Sequence, residues 1–78
     1  MFEIEILSPH GSIIKCNPLS VSFPTVFGVV VVLPNHVNFV TKLKIGKIIM
    51  NFLNNKTEIA VTDGFVEVIN NYINVILR

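Results

Sequence analysis

Apolar and polar residues alternate with period two over Phe2-Glu3-Ile4-Glu5-Ile6, the signature of a β-strand with one face buried and the other wet. Leu19, Val21 and Phe23 repeat the pattern against Ser20 and Ser22. Pro24, which has no N–H to give to a ladder, is expected to end that strand. Between Gly28 and Pro34 the run Val29-Val30-Val31-Val32-Leu33 is β-branched almost throughout, which favours a strand covered on both faces over a short buried helix. Val40 to Ile45 returns to partial alternation, with Lys42 and Lys44 opposite Leu43 and Ile45, and Gly46 is expected to allow a reversal. Ile48 to Leu53 and Thr57 to Val61 read as paired strands around Asn54-Asn55, and Phe65 to Ile69 and Tyr72 to Leu77 as a second pair around Asn70-Asn71. Asparagine tolerates the left-handed backbone that tight hairpins need. Ser8-Pro9-His10-Gly11 is a further turn. Such frequent turn signals, with no sustained helical periodicity, predict an all-β fold: an antiparallel two-sheet β-sandwich or flattened barrel of short strands. At about 5–6 residues per strand the chain holds roughly seven to ten of them, in one domain over residues 1–78.

Composition adds a constraint. The 78 residues are 51% hydrophobic and only 14% charged, with a mean hydropathy of +0.68, whereas an average soluble domain is about 25% charged. A chain this short buries only about 60% of its unfolded surface, so it carries more apolar surface than one small core can hide. The apolar stretch Val26 to Leu33 contains Gly28 and falls well short of the ~20 residues that a transmembrane helix needs. The start Met1-Phe2-Glu3 lacks the basic flank and apolar stretch of a secretory signal and the arginine-rich character of a transit peptide. The expectation is a bacterial cytoplasm, or synthesis inside an organelle, without membrane insertion.

Chemistry is sparse. The acids Glu3, Glu5, Glu58, Asp63 and Glu67 share no spacing with a histidine or cysteine that would suggest a nucleophile, a general base or a metal cage. His10 and His36 are far apart and read as surface or hydrogen-bonded histidines. Cys16 is the only cysteine, which excludes an internal disulfide and fits a small core or strand residue. No phosphate-cradling glycine loop with a following lysine is present, so no cofactor is expected and the chain is not expected to be an enzyme. Net charge is +1 and the lysines are dispersed, so nucleic acid is not an expected partner. Asn55-Lys56-Thr57 matches a glycosylation sequon by chance, in a turn of a chain without a secretory signal.

The stretch Gly28-Val29-Val30-Val31-Val32-Leu33-Pro34-Asn35-His36-Val37-Asn38-Phe39-Val40-Thr41-Lys42-Leu43-Lys44-Ile45-Gly46 resembles the epsilon-subunit family of F-type ATP synthases. There, Gly-Glu and an apolar-Gly-apolar run lead to Pro-x-His, an apolar stretch, Thr and Leu-Lys-Pro-Gly. Gly28, Pro34, His36, Thr41, Leu43, Lys44 and Gly46 stand where that pattern puts them. Ile4 to Gly11 is similar to the family's opening strand and turn, Gly64-Phe65-Val66-Glu67-Val68 to its later hairpin, and Asn74-Val75-Ile76-Leu77 to its closing strand. Val29 replaces the usual glutamate, Val31 a glycine, Asn38 and Ile45 prolines, and Asp63 the first of two glycines.

The resemblance implies a non-catalytic rotor piece at the foot of the central stalk, packed on the gamma subunit and resting on the c-ring, at the cytoplasmic face of the bacterial inner membrane. It puts His36, Val37, Phe39 and Thr41 on the gamma face, and Val26, Phe27, Gly28 and Val29 on the loop that meets the c-ring. For His36 a turn role, with the imidazole capping a backbone carbonyl, stands beside the partner role. Val29 offers no carboxylate to a basic c-ring loop, so that contact is expected to be van der Waals or lost. Family members usually continue into two C-terminal helices that carry self-inhibition. Because the sequence stops at Arg78, normal coupling without that inhibition, and little or no ATP binding, are expected. The alternative from another class is a stand-alone β-sandwich binding module pairing as a homodimer; co-purification with gamma discriminates the two.

Overall fold

The computed structural model of the protein describes residues 2–78. Among these residues nine strands follow one another without a helix: β1 (Glu3–Leu7), β2 (Ile13–Cys16), β3 (Ser20–Thr25), β4 (Gly28–Val32), β5 (Phe39–Leu43), β6 (Gly46–Asn51), β7 (Lys56–Val61), β8 (Gly64–Ile69) and β9 (Tyr72–Leu77). They hydrogen-bond as one continuous sheet in the order β2-β1-β9-β8-β5-β3-β6-β7, with β4 on the free side of β3. The sheet curls around a core formed by alternate residues of nearly every strand: Ile4 and Ile6, Val21 and Phe23, Val32, Leu43, Ile48 and Met50, Val61, Val66 and Val68, Ile73 and Val75, closed by Phe2. The all-β expectation and the expected number of strands hold. The alternation seen in Phe2–Ile6 is the observed one, Ile4 and Ile6 buried and Glu3 and Glu5 half-buried.

The sheet is mixed, which corrects the antiparallel expectation. β1 runs parallel to β9, pairing Ile4 with Ile73 and Ile6 with Val75. Hairpin signals report only sequential neighbours, and β1 and β9 lie at opposite ends of the chain. On the outer face of this pair the Tyr72 hydroxyl donates to Glu5 Oε1 at 2.6 Å. A second correction concerns continuity. The strands link into one curled sheet through a narrow junction, where β3 leaves β6 after Ser22↔Ile49 and reaches β5 only at Thr25↔Leu43.

Pro24 does not end its strand. It pairs opposite Val29 inside the β3–β4 ladder, and its carbonyl accepts the Lys44 amide at 2.8 Å. The N–H and C=O of one residue in a strand point to the same side, so the donor that proline lacks faces the point where β3 changes neighbours and no regular ladder is broken. Gly46 serves this junction too: a Cβ there would stand 2.7 Å from Pro24 Cβ. Its role is close packing and not the reversal expected of it. β4 is covered on one face only, since Val29 and Val31 are 73% and 53% exposed while Val32 is buried. The uniform valine run carries no phase to show this. Ile45 lies beyond β5 and is exposed, not inward with Leu43.

The two asparagine turns differ. Asn70 and Asn71 both have positive φ, 51° and 65°, joining Ile69 and Tyr72 in the expected tight hairpin. Asn54 and Asn55 do not; there Phe52 N bonds to Asn55 O at 2.8 Å and the pairing resumes at Asn51↔Lys56. β2 was not expected, because Ile13, Ile14 and Lys15 are all exposed and show no alternation. Cys16 ends β2 with its thiol 3.6 Å from Met50 Sδ, and burial pushes its pKa up, as suits an inert packing residue.

Gly64 is the tightest backbone position. It pairs with both Leu43 and Leu77, its φ is +151°, and a Cβ would press into the Ile76 carbonyl oxygen. Gly64→Ala is therefore expected to destabilise the chain by about 2–4 kcal/mol. Gly11→Ala, where φ is +87° and nothing lies within 4 Å, costs only about 1–2 kcal/mol; urea midpoints of the two variants check the order. The second prediction concerns Tyr72, whose hydrogen bond to Glu5 holds its pKa above the usual phenol range. A raised folded-state pKa means that the bond's contribution is complete below the ordinary tyrosine pKa and is lost as pH rises through the raised one. Ultraviolet titration of this single tyrosine is expected to show a late midpoint that Glu5→Gln brings back; a midpoint unmoved by that change tells against the coupling.

Candidate partner-binding surface

The loops at one end of the sheet are built from buried anchors outward. Thr25, only 1% exposed, donates its hydroxyl to the Gly28 carbonyl at 2.7 Å and accepts the Phe27 amide at 3.1 Å. Gly28 has φ +109°, a conformation that a side chain rarely adopts. The two-residue tip Val26-Phe27 between β3 and β4 is thereby fixed, and it presents Phe27 at 86% exposure. A hydrophobic ring held out in water by a pinned turn is not there for this chain's own stability.

The β4–β5 connection is clamped in a different way. Asn35 N donates to Asn71 Oδ1 at 2.6 Å, Asn71 Nδ2 returns a bond to Asn35 Oδ1 at 3.1 Å, and Asn70 N donates to Asn38 Oδ1 at 2.9 Å. Asparagines 35, 38, 70 and 71 thus tie this loop to the β8–β9 turn, and the strand partner of one loop positions the other. Between them, His36 Nδ1 lies 2.8 Å from the Val37 carbonyl, so that nitrogen carries the proton and donates. The imidazole stands edge-on to Phe39, ring centroids 5.3 Å apart. The turn reading of His36 holds, since the ring bonds a backbone carbonyl; the ring also lines a surface depression.

That depression, of about 280 Å³, gathers Phe27, His36, Val37, Phe39 and Thr41 with Thr25, Val30 and Val40. Five of the residues expected on two separate contact surfaces therefore surround one hollow. Val26, Gly28 and Val29 do not line it; Val29 points away from Val30, on the other face of β4, as strand alternation requires. Thr41 is 8% exposed, and its Oγ1 has no hydrogen-bond partner among the described residues, an arrangement that costs free energy.

A second depression, of about 480 Å³, lies on the outer face of β1, β9, β8 and β5, lined by Glu5, Leu7, Val40, Phe65, Glu67, Asn74 and Ile76. Sequence reasoning missed it. The signal was present: Leu7, Phe65 and Ile76 are apolar at the positions where the alternation of their strands calls for polar residues. Val40 lines both hollows, so the apolar surface is continuous around the β5 side.

Among the described residues no three of His, Cys, Asp and Glu gather to hold a metal ion. No helix among them is long and apolar enough to cross a membrane. Lys47 and Lys56 bracket Glu58 at 3.2 and 3.3 Å on the distant β6–β7 hairpin and lower its pKa, chiefly through the hydrogen bond from Lys47; this exposed cluster is structural at most.

Comparison with known proteins fits this geometry. The family described as ATP synthase, Delta/Epsilon chain, beta-sandwich domain matches residues 1–78. The chain is 47% identical over 75 residues to an ATP synthase epsilon chain of Endomicrobium trichonymphae, covering 96% of this chain and 54% of that one. It is 41% identical over 68 residues to an ATP synthase epsilon chain of Aquifex aeolicus, covering 87% and 51%. The chain thus spans about half the length of these relatives. In fold it is similar to a chain of the Tetrahymena thermophila mitochondrial ATP synthase central stalk and c-ring structure, with a TM-score of 0.80 at 16% identity over 97% of this chain and 62% of that one. It is also similar to a chain of the Euglena gracilis mitochondrial ATP synthase, with a TM-score of 0.87 at 17% identity over 95% and 48%. With the family's beta-sandwich domain matched over residues 1–78 and two relatives above two-fifths identity, the chain belongs to the ATP synthase delta/epsilon family.

Proposed function

We propose that residues 1–78 form one epsilon-type domain of the central stalk of a proton-translocating F-type ATP synthase, at the cytoplasmic face of a bacterial inner membrane. There it links gamma to the c-ring, couples proton flow to ATP synthesis mechanically and catalyses nothing itself. Family membership supports the assembly. The observation that carries the mechanical role is Phe27 and Val37, 86% and 75% exposed on loops that buried Thr25 and the asparagine clamp hold in place. A coupling element has to adhere and to resist deformation, and apolar side chains on pre-ordered loops do both, because little conformational entropy is lost on contact. On this reading the curled sheet is a flattened two-layer sandwich, supported by the narrow β3–β5 junction, where its two parts meet.

His36, Val37, Phe39 and Thr41 form the contact with gamma, and the loop Val26 to Val29 the contact with the c-ring. The shared hollow makes these surfaces adjacent, with Phe27 at their seam. Val29 is 73% exposed and uncharged, so the c-ring contact of this loop is van der Waals in character.

Two substitutions separate the contacts. Val37→Asp is expected to weaken binding to gamma from the same source by roughly tenfold or more, as charges do at the centre of an apolar contact. It should leave c-ring association intact. Val26→Asp, outside the hollow, is expected to do the reverse. Unchanged gamma binding in Val37→Asp, or a chain that self-associates and ignores gamma, overturns the reading in favour of a stand-alone binding module. A further prediction concerns Thr41 in the isolated chain: Thr41→Val removes a buried hydroxyl that lacks a partner and is expected to raise stability by about 1 kcal/mol. A fall in the urea midpoint would show that the hydroxyl is satisfied.

A further inference from the structure

β2 and β7 end the strand order and β4 pairs with β3 alone, so each keeps an edge without a ladder. Such edges invite pairing with another chain, and charged side chains on the edge strand are a common guard against it. β2 carries Lys15, and β7 carries Lys56 and Glu58. β4 is Gly28-Val29-Val30-Val31-Val32, without a charge, a proline or a bulge. The direction of its backbone groups follows from Pro24. The Pro24 carbonyl is turned to Lys44 N, on the side of β3 away from β4, so Pro24↔Val29 is a non-hydrogen-bonded pair of the β3–β4 ladder. Val29, and with it Val31 two residues on, therefore points its N–H and C=O out of the sheet. Among the described residues no ladder or loop backbone bond reaches these groups.

We infer that β4 pairs antiparallel with β4 of a second copy of this chain, about a two-fold axis through Val30. Three features select this occupant. The first is the backbone: in this register Val29 stands opposite the partner's Val31, and the two exchange both of their hydrogen bonds. The strand is thus complementary to itself, as a two-fold contact requires. The second is the side chains. Val29 and Val31, 73% and 53% exposed, cover one another, and Phe27 at the tip, 86% exposed, is brought beside the partner's Leu33, which is 55% exposed in this chain. The third is charge. The sequence holds no lysine, arginine, aspartate or glutamate between Lys15 and Lys42, a stretch that includes β3, β4 and the loop after β4, with His36 as its one titratable group. The axis therefore brings no like charges together across the seam. One strand pair buries less surface than a permanent interface needs, so the pairing depends on concentration. It uses Phe27 and Val29, so it excludes the c-ring contact proposed above and belongs to the chain outside that assembly; it does not rest on that contact.

The test is sedimentation equilibrium of the 78-residue chain from roughly 1 μM to 1 mM. The mass is expected to rise from one chain to two, and hydrogen exchange at the Val29 and Val31 amides to slow at the upper end. Val31→Pro removes an outward N–H and leaves the β3–β4 ladder its bonds, and is expected to weaken the pairing by roughly tenfold or more. If that variant does not fold, Val29→Lys, a guard charge at an exposed position, serves in its place and should do the same. Leu53→Lys, which removes an equally exposed apolar residue (83%) after β6, should leave the pairing intact. A single-chain mass throughout, pairing that the folded edge variant leaves unmoved, pairing lost in Leu53→Lys, or growth beyond two copies overturns the inference.

Discussion

The junction between β3 and β5 is the constraint on which the rest of the structure depends. Only Thr25↔Leu43 bridges these strands in register, reinforced by Val26 N to Lys42 O at 3.3 Å and Lys44 N to Pro24 O at 2.8 Å. Through it, β2, β1, β9, β8 and β5 become one sheet with β3, β4, β6 and β7. A full ladder would hold the strands to the gradual twist of an ordinary sheet; a single bridge with proline on one side and glycine on the other lets the sheet fold over its core. Thr25 joins this corner to the exposed tip, because its backbone holds the bridge while its hydroxyl holds the Phe27 turn.

Stability and adhesion draw on different residues. The fully buried Phe23, Ile4, Ile6, Leu43, Ile48, Met50 and Ile73 make the core, and each contributes on the order of 1.5–3 kcal/mol of burial relative to exposure. Phe27, Val37, Val40 and Val29 contribute almost none of this in the free chain. The loops that carry Phe27 and Val37 are nevertheless ordered by polar bonds from Thr25 and from Asn35, Asn38, Asn70 and Asn71. Ordering a contact surface in advance removes the entropy cost that a flexible loop meets on binding. Such rigidity suits the coupling role proposed above.

The excess of apolar residues thus has a definite location. Much of it lies around the hollow at Phe27 and Val37, on the outer face at Leu7, Phe65 and Ile76, and along the uncovered side of β4, while Leu53, Ile45 and Leu19 stand exposed outside these regions. Patches of this kind on a small chain mark surfaces that other molecules cover.

The amino-acid sequence by itself determined what is local: the period-two run of Phe2–Ile6, that of Ser20–Phe23 without Leu19, which lies before the strand and is exposed, the left-handed turn at Asn70-Asn71, the helix-free fold and the family pattern from Gly28 to Gly46. Side-chain phase and turn chemistry act over a few residues, so they can be read from neighbours along the chain. Tertiary structure alone decided the parallel pairing of β1 with β9, which joins residues from the two ends of the chain. It also decided the passage of β3 through Pro24, harmless only because the missing donor falls where β3 changes partner. The meeting of Phe27 with His36, Val37, Phe39 and Thr41 around one hollow needed the curl of the sheet. The row that places Glu5, Asn74 and Glu67 side by side needed three strands in register. Each of these depends on which backbone lies beside which, and a pattern that tells one face of a strand from the other carries no information about the identity of the neighbouring strand.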